Sequence, residues 1–312
     1  MTGYALRRVG QAILVLWAAY TLTFFAVFLL PSDAAEIMAA GSDSTNSVDP
    51  ATLAEFRARY GLDQPLHLQY LRALGGVFRG DLGTSIHTGR PVARMLGEAI
   101  GPTVTLAALG MLVGVLLGAA LAVAITLVPR RGPRHLLATV PAVGISVPTF
   151  CVGLVLLQVV SFQWGLLPAF GSSGFESLVL PVLALSLPVA ALIAQLLSKS
   201  IEAERSAEYA DIALAKGLSR LRVHLAHVVR NALLPAFTMA GLLAGELFGG
   251  SIVVETVFSR AGLGRVALSA VQARDLPVIL GVVTVGACVF IVVNLAVDLL
   301  YPLLDPRIAV AR

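Results

Sequence analysis

Long apolar stretches alternate along the chain with shorter segments that are rich in charged residues. Five stretches carry no Asp, Glu, Lys or Arg, and a sixth is interrupted only by Glu246 and Glu255. Each has about 20 or more residues, the length that crosses the roughly 30 Å hydrocarbon core of a bilayer as an α-helix. They predict six transmembrane helices, at about residues 8–30, 100–128, 136–160, 177–199, 233–254 and 278–301.

The composition agrees with a polytopic membrane protein of the all-α class. Of the 312 residues, 57% are hydrophobic and only 13% are charged, which is far from the balance of a soluble domain. The apolar stretches do not alternate between apolar and polar residues, as the strands of a membrane barrel would. The first stretch follows Arg7 and Arg8 but is longer than the core of a typical signal peptide, so we interpret it as a retained helix. Cys151 and Cys288 fall within predicted helices, where we interpret them as small apolar residues.

Basic residues in the short loops predict the orientation, because positive charge near helix ends tends to stay in the cytoplasm. Most of these residues lie on one side, and the opposing short loops hold only Arg260, Arg265 and Arg274. Both termini are therefore predicted to be cytoplasmic. The chain then divides into a first helix with its cytoplasmic end (1–30), an extracytoplasmic insertion (31–98) and a transmembrane core (99–312).

Two predicted helices carry glycine at every fourth position. Gly110, Gly114 and Gly118 form one ladder, and a second ladder is formed by Gly241, Gly245 and Gly249. Each ladder places a flat stripe on one helix face, where another helix can approach closely. We expect helix contacts at both. The prolines at 141, 148, 181, 188 and 235 are expected to kink or end helices.

The cytoplasmic segment 200–231 contains the stretch EYADIALAKGL, in which charged and apolar residues mix at helical spacing. Gly217 and Ser219 predict that one short helix ends and a second begins there. An amphipathic helix resting on lipid headgroups would explain the charges. The short side chains of Ala210, Ala213 and Ala215 instead favour a surface that fits a groove on a partner protein.

The same stretch resembles the EAA loop of ABC importer permeases, with Asp211, Ile212 and Ala213 in place of Glu-Ala-Ala and with Gly217 as the loop glycine. The proline that ends the family's motif is absent, since Arg230 stands there. Other stretches, in the same order as in the family, are similar to the first, B-type permease of bacterial dipeptide and oligopeptide importers. They are YGLDQPLHLQYLRALGGVFRGDLGTS, RPV, AHVVRNALLP and VVETVFSRAGLGRVALSAVQARDLPV.

The resemblance implies a type I importer fold and half of a translocation pathway in the bacterial inner membrane, with alternating access driven by separate ATPase subunits. The implied partners are a second, C-type permease, one or two ATP-binding subunits, an extracytoplasmic substrate-binding protein, a peptide and the bilayer, with no nucleic acid. The chain itself is expected to be non-catalytic and to bind no cofactor, because it lacks a phosphate-cradling P-loop. ATP and Mg²⁺ would bind the partner subunits.

Three groups of site residues follow. Those expected to contact the ATPase are Tyr209, Ala210, Asp211, Ala213, Ala215, Lys216, Gly217, Leu218 and Arg222. Those expected at the docking surface for the binding protein are Asp81, Gly83 and Ser85. The pathway candidates are Glu246, Asn294 and Asp298, because an acid in hydrocarbon is costly and normally faces protein or water; for Glu246, a structural hydrogen bond to another helix is an equal alternative.

Other functional classes fit less well. GSSG (171–174) matches a motif of rhomboid proteases, but every His lies in a loop or at a helix edge, so none can activate Ser173 at membrane depth. His224 and His227 lack a third metal ligand nearby, so we expect no metal site. A secondary transporter is the main alternative, although the chain shows no internal repeat. Importers of nickel, haem, glutathione or another small solute also remain open.

Overall fold

The computed structural model describes residues 2–28, 63–172 and 174–304, and it includes the side chains of these residues except 2–9, 27, 28, 131 and 297–304. Within these residues the chain forms eleven α-helices and two π-helical turns, and no β-strand. The helices are α1 (Thr2–Phe28), α2 (Leu66–Phe78), α3 (Val92–Leu127), α4 (Arg131–Ser146), α5 (Thr149–Leu156), α6 (Glu176–Arg205), α7 (Glu208–Ala215), α8 (Arg220–Val223), α9 (Val229–Val257), α10 (Leu263–Gln272) and α11 (Leu276–Leu304). The π-helical turns are Leu157–Gln163, after α5, and His224–Val228, between α8 and α9.

Four helices of the described chain are long and apolar enough to cross a membrane. They are α3, α6, the continuous Arg220–Val257 and the Leu276–Ala296 part of α11. They confirm four of the six predicted spans. In α1, the apolar helix Gly10–Ala26 is shorter than these four, with 17 residues, so its description neither confirms nor excludes the first predicted span.

The third predicted span, 136–160, is broken at Pro148, one of the prolines expected to kink or end a helix. The chain is helical on both sides of residues 147 and 148, but the two helices meet at an angle of 102°. Val147 adopts an extended conformation (φ −92°, ψ 122°) before Pro148. Proline disfavours a helical residue before it, which accounts for the break. Of the other four prolines expected to kink or end helices, none ends one: 141, 181, 188 and 235 all lie inside helices.

The described chain forms two compact units. One combines residues 1–101 with 261–291, and the other combines 102–260 with 292–312. The division into 1–30, 31–98 and 99–312 stays a prediction.

In the second unit, α3 packs along α6 through its glycine ladder, as predicted. A Cβ atom added at Gly114 would lie 2.6 Å from Cβ of Val189, and one added at Gly118 would lie 2.6 Å from the carbonyl oxygen of Ala190. The two helix backbones therefore meet where side chains are absent. In the second ladder Gly245 is buried, but Gly249 is exposed and faces open space within the described chain. Within the described residues, the expected helix contact is therefore not made at Gly249.

The first unit has a separate core in which α1, α2 and α11 meet. Tyr20 and Phe24 are buried beside Leu280. Tyr70 lies edge-on to Phe24, with ring centroids 5.3 Å apart, and its hydroxyl is 2.7 Å from Oγ1 of Thr21. These contacts fix the start of α2, and hence the loop that follows it.

Candidate functional site

The segment between α6 and α9 contains the two short helices that the sequence predicts. α7 ends in a Schellman turn, in which Leu218 N–H donates to the Ala213 carbonyl (3.3 Å) and Gly217 N–H to that of Leu214 (2.9 Å). Gly217 adopts φ 86°, a left-handed conformation that costs other residues energy. The Ser219 side chain then caps α8 by accepting a hydrogen bond from Arg222 N–H at 3.4 Å.

Some of the residues expected to contact the ATPase are exposed, and the others are packed against the rest of the chain. Exposed residues are Asp211, Ala215, Lys216, Gly217 and Arg222. The others, Tyr209, Ala210, Ala213 and Leu218, pack against a core formed by α3, α6 and α9. Sequence reasoning did not include Ile212 and Leu221 among these contacts, although they are 55% and 56% exposed. Their apolar character on a charged surface is the signal that could have identified them.

Polar contacts fasten this segment to three long helices. Tyr209 Oη donates to Oε2 of Glu204, at the end of α6, at 2.6 Å, and a further hydrogen bond joins Tyr209 to Asn231 of α9. Burial and the hydrogen bond to Glu204 raise the pKa of Tyr209. Nε2 of the buried His224 lies 3.2 Å from Oγ1 of Thr126 in α3. Movement of the segment would therefore act directly on α3, α6 and α9.

Glu246 lies in the middle of α9 with its side chain exposed. It makes no hydrogen bond or ion pair with the described part of the chain, so the structural hydrogen bond considered from the sequence is not formed within it. Its neighbours Leu243 and Leu247 are buried in the core with α6 and lie about 60° and 100° around the helix from it, so the carboxylate projects from the flank of the buried face. Asn294 is half-buried in α11. Asp298 lies outside the described side chains.

The loop after α2 separates the three predicted docking residues. Asp81 and Gly83 are exposed, and Oδ1 of Asp81 accepts a hydrogen bond from Gly83 N–H at 2.9 Å. Ser85 is 0% exposed, and its hydroxyl donates to Oδ2 of Asp275 at 2.5 Å. The same carboxylate accepts from the backbone N–H groups of residues 86 and 87. The Ser85 side chain therefore shapes this loop from within, and of the three residues only Asp81 and Gly83 are exposed.

Two buried residues of opposite charge at the end of α9 were missed from the sequence. Glu255 is 1% exposed and Arg260 is 4% exposed. Burial lowers the pKa of Arg260, and the charge of Glu255 opposes that shift. Arg260 also donates hydrogen bonds to Ser177, at the start of α6, and to Gly171, ahead of that helix. A sequence signal existed, since an acid and a base five residues apart directly follow the predicted helix 233–254.

The competing site hypotheses gain no support from the geometry. His224 is buried whereas His227 is exposed, so the two imidazoles do not share one surface. Among the described residues, no group of three or more His, Cys, Asp or Glu side chains could hold a metal ion. Ser173, the serine of the protease-like motif, lies outside the described residues.

Comparison with known families assigns the class of protein. Residues 94–310 match the family described as the binding-protein-dependent transport system inner membrane component, and residues 1–107 match the N-terminal region of such membrane components. The chain belongs to this family. It is a multi-pass, non-enzymatic permease subunit of an ABC importer, which decides against a secondary transporter.

Individual relatives are similar over the whole length. The glutathione transport system permease protein GsiC of Salmonella paratyphi A is 39% identical over 308 residues, covering 99% of each chain. GsiC of Escherichia coli strain K12 is 37% identical over the same length.

Solved structures support the fold. An amino acid ABC transporter crystallised with histidines matches 69% of this chain and 94% of its own, with TM-score 0.51 and 19% identity. The inward-facing methionine transporter MetNI matches 68% and 96%, with TM-score 0.54 and 13% identity. The chain has the type I ABC importer permease fold.

Proposed function

We propose that this permease forms half of the translocation pathway for small peptides, and that Glu246 attracts their positively charged amino group. The exposed carboxylate in the middle of α9 carries this proposal. A carboxylate exposed to hydrocarbon is costly, so it must face protein or a water-filled cavity. The other half of the pathway would come from a C-type permease, with Glu246 close to the shared surface. Asn294 and Asp298 are weaker candidates for the same pathway.

The α7–α8 segment is the surface proposed to receive an ATP-binding subunit, which would hold ATP and Mg²⁺. Its most exposed large apolar residues, Ile212 and Leu221, lie among charged ones, a composition suited to a partner's groove. Both termini would then be cytoplasmic, because this segment must face the ATPase. On the opposite side, the loop carrying Asp81 and Gly83 is proposed to receive the substrate-binding protein.

Glutathione is the second candidate substrate, because the similar permeases named above are described as glutathione transporters. Glutathione carries two carboxylates and one ammonium group, so its net charge is negative near neutral pH. A cationic tripeptide such as trilysine has the opposite charge. The two substrates should therefore respond differently to the charge at position 246.

The test is uptake into proteoliposomes that contain the complete transporter, with wild-type or Glu246→Gln permease. We expect the variant to lower uptake of radiolabelled trilysine about tenfold, the effect of losing one charge-assisted contact, and to leave glutathione uptake unchanged or higher. Thr238→Val, on the same helix, is the matched control. Equal uptake of trilysine by both proteins would contradict the role of Glu246, and uptake of neither substrate by the wild-type complex would contradict the substrate class.

A further inference from the structure

The outer end of α9 carries a charged pair where most helices place an apolar one. Ser259 adopts φ 50°, and Arg260 N–H donates to the carbonyl of Glu255 at 2.9 Å, so the helix ends in a Schellman turn. This turn brings the third residue from the helix end against the second residue beyond the C-cap, Phe258, and the two are usually hydrophobic. Here they are Glu255 and Arg260, both almost fully buried.

Stability alone does not account for such a pair. Burying two charges costs desolvation energy, and well-packed apolar residues of similar volume are often as stable or more stable. A guanidinium, however, offers hydrogen-bond donors in fixed directions, which an apolar side chain cannot. The contribution of Arg260 should therefore be sought in the groups that accept hydrogen bonds from its guanidinium.

The guanidinium holds the chain that leads into α6. Nη1 of Arg260 donates to the carbonyl oxygen of Ser177 at 2.8 Å, to Oγ of Ser177 at 3.1 Å and to the carbonyl oxygen of Gly171 at 3.4 Å. One charged group thus satisfies acceptors on two residues that are six positions apart. Backbone acceptors fix the position of the chain itself and not only that of a side chain.

Phe258 anchors the same helix end on a second element. Its ring is buried, and its Cε2 atom lies 3.2 Å from where a Cβ atom would stand on Gly153 of α5. The turn that ends α9 therefore contacts α5 through Phe258 and the start of α6 through Arg260. The outer ends of three helices meet around this turn.

We propose that Arg260 is a positioning residue for transport: it fixes Gly171 and Ser177 on the outer end of α9, and the transport cycle requires this fixed position in addition to any stability that the pair provides. Alternating access moves sets of helices as rigid bodies. The directional hydrogen bonds of Arg260 would keep the start of α6 and the end of α9 in the same rigid body. The proposal depends on the permease function of the family, and neither on a peptide substrate nor on Glu246.

Three variants separate positioning from stability in the complete, reconstituted transporter. Arg260→Met leaves Glu255 buried without its countercharge and should lower membrane abundance strongly. Glu255→Gln combined with Arg260→Met removes both charges and should restore abundance. Arg260→Lys keeps the charge but replaces the planar fork by a point donor. Arg79→Met, an exposed arginine, is the matched control.

Two measurements follow the position and its effect. Spin labels at Phe175→Cys and Val253→Cys, both exposed, report the distance between the start of α6 and α9 in a background without Cys151 and Cys288. Uptake of radiolabelled trialanine and glutathione is measured per ATP hydrolysed. The distance measurement needs no substrate, so it tests whether Arg260 fixes the start of α6 relative to α9 even if neither compound is transported.

At restored abundance, we expect the double variant to show a broadened distance distribution and about tenfold less uptake per ATP, the effect of losing one charge-assisted hydrogen bond. Arg260→Lys should show the same changes. Wild-type uptake and a narrow distribution in either variant would overturn the proposal, because the pair would then be only structural. Reduced uptake with an unchanged distribution would overturn it as well.

Discussion

The contact between α3 and α6 allows a quantitative test of the fold. Replacing Gly114 by alanine adds one methyl group, whose carbon would lie 2.6 Å from Cβ of Val189 and 2.9 Å from the carbonyl oxygen of Ser186. Ordinary contact begins at 3.4 Å, so the helices must separate locally by about 0.8 Å (3.4 − 2.6). Cβ of Val189, the nearest atom, and the carbonyl oxygen of Ser186 cannot move aside by rotating a side chain.

Overpacking a close-packed contact typically costs about 1–3 kcal/mol. Alanine is otherwise a better helix former than glycine by about 1 kcal/mol, which offsets part of this cost. Gly97, on the same helix, has nothing within 4 Å of its added Cβ. Gly97→Ala should therefore stabilise the permease by up to about 1 kcal/mol, whereas Gly114→Ala should be neutral or destabilise it by up to about 2 kcal/mol.

The assay is unfolding of the purified permease in detergent by a denaturant, followed by circular dichroism, with both variants beside the wild type. The difference between the two alanine variants is the decisive quantity, because their gain in helix propensity cancels. A difference of about 1–3 kcal/mol in the free energy of unfolding is expected. Equal stability of Gly97→Ala and Gly114→Ala would refute the close approach of α3 and α6.

Three further predictions concern the turns and the buried acid. Gly217→Ala should lower the free energy of unfolding by about 1 kcal/mol because of its left-handed conformation, and denaturant unfolding of the two proteins measures it; an unchanged value would count against this turn. Arg274 adopts φ 52° at the end of α10, so Arg274→Gly should be about 1 kcal/mol more stable than Arg274→Ala, and comparable midpoints for the two variants would disprove the strain. Asp275→Asn should weaken the bonds to Ser85 and make the loop after α2 more susceptible to limited proteolysis, whereas an unaltered cleavage rate would show that the carboxylate is dispensable there.

Residue spacing along single helices could be interpreted from the sequence because it depends on local geometry. The glycines of α3 repeat every fourth residue, and one turn at Gly217 separates two short helices, so both features follow from helical periodicity and backbone freedom. The break at Pro148 was also foreseeable as a kink. Its size of 102° was not, because the angle depends on how the flanking helices pack against α6.

Contacts between distant residues could not be predicted in this way. Ser85 was expected on a docking surface, but its partner Asp275 lies 190 positions further on, and only the folded chain brings them together. Arg260 was used only as a loop charge for orientation, although it is buried against residues 83 and 89 positions earlier. Glu255 was treated as an interruption of an apolar stretch, since hydropathy does not distinguish an exposed acid from a compensated one.

α3 and α6 repeat their contact at the same four-residue spacing. This match restricts how far the two helices can move along each other. Gly110, Gly114 and Gly118 face Leu185, Val189 and Ile193, so both helices repeat the contact every four residues and run in the same direction. A shift of four residues, about 6 Å along the axis, would set Leu185 at Gly114 and Val189 at Gly118. Smaller shifts would press β-branched side chains against residues that have Cβ atoms. Axial movement between these helices is therefore favoured in steps of four residues, which keep a glycine of α3 opposite each large side chain of α6.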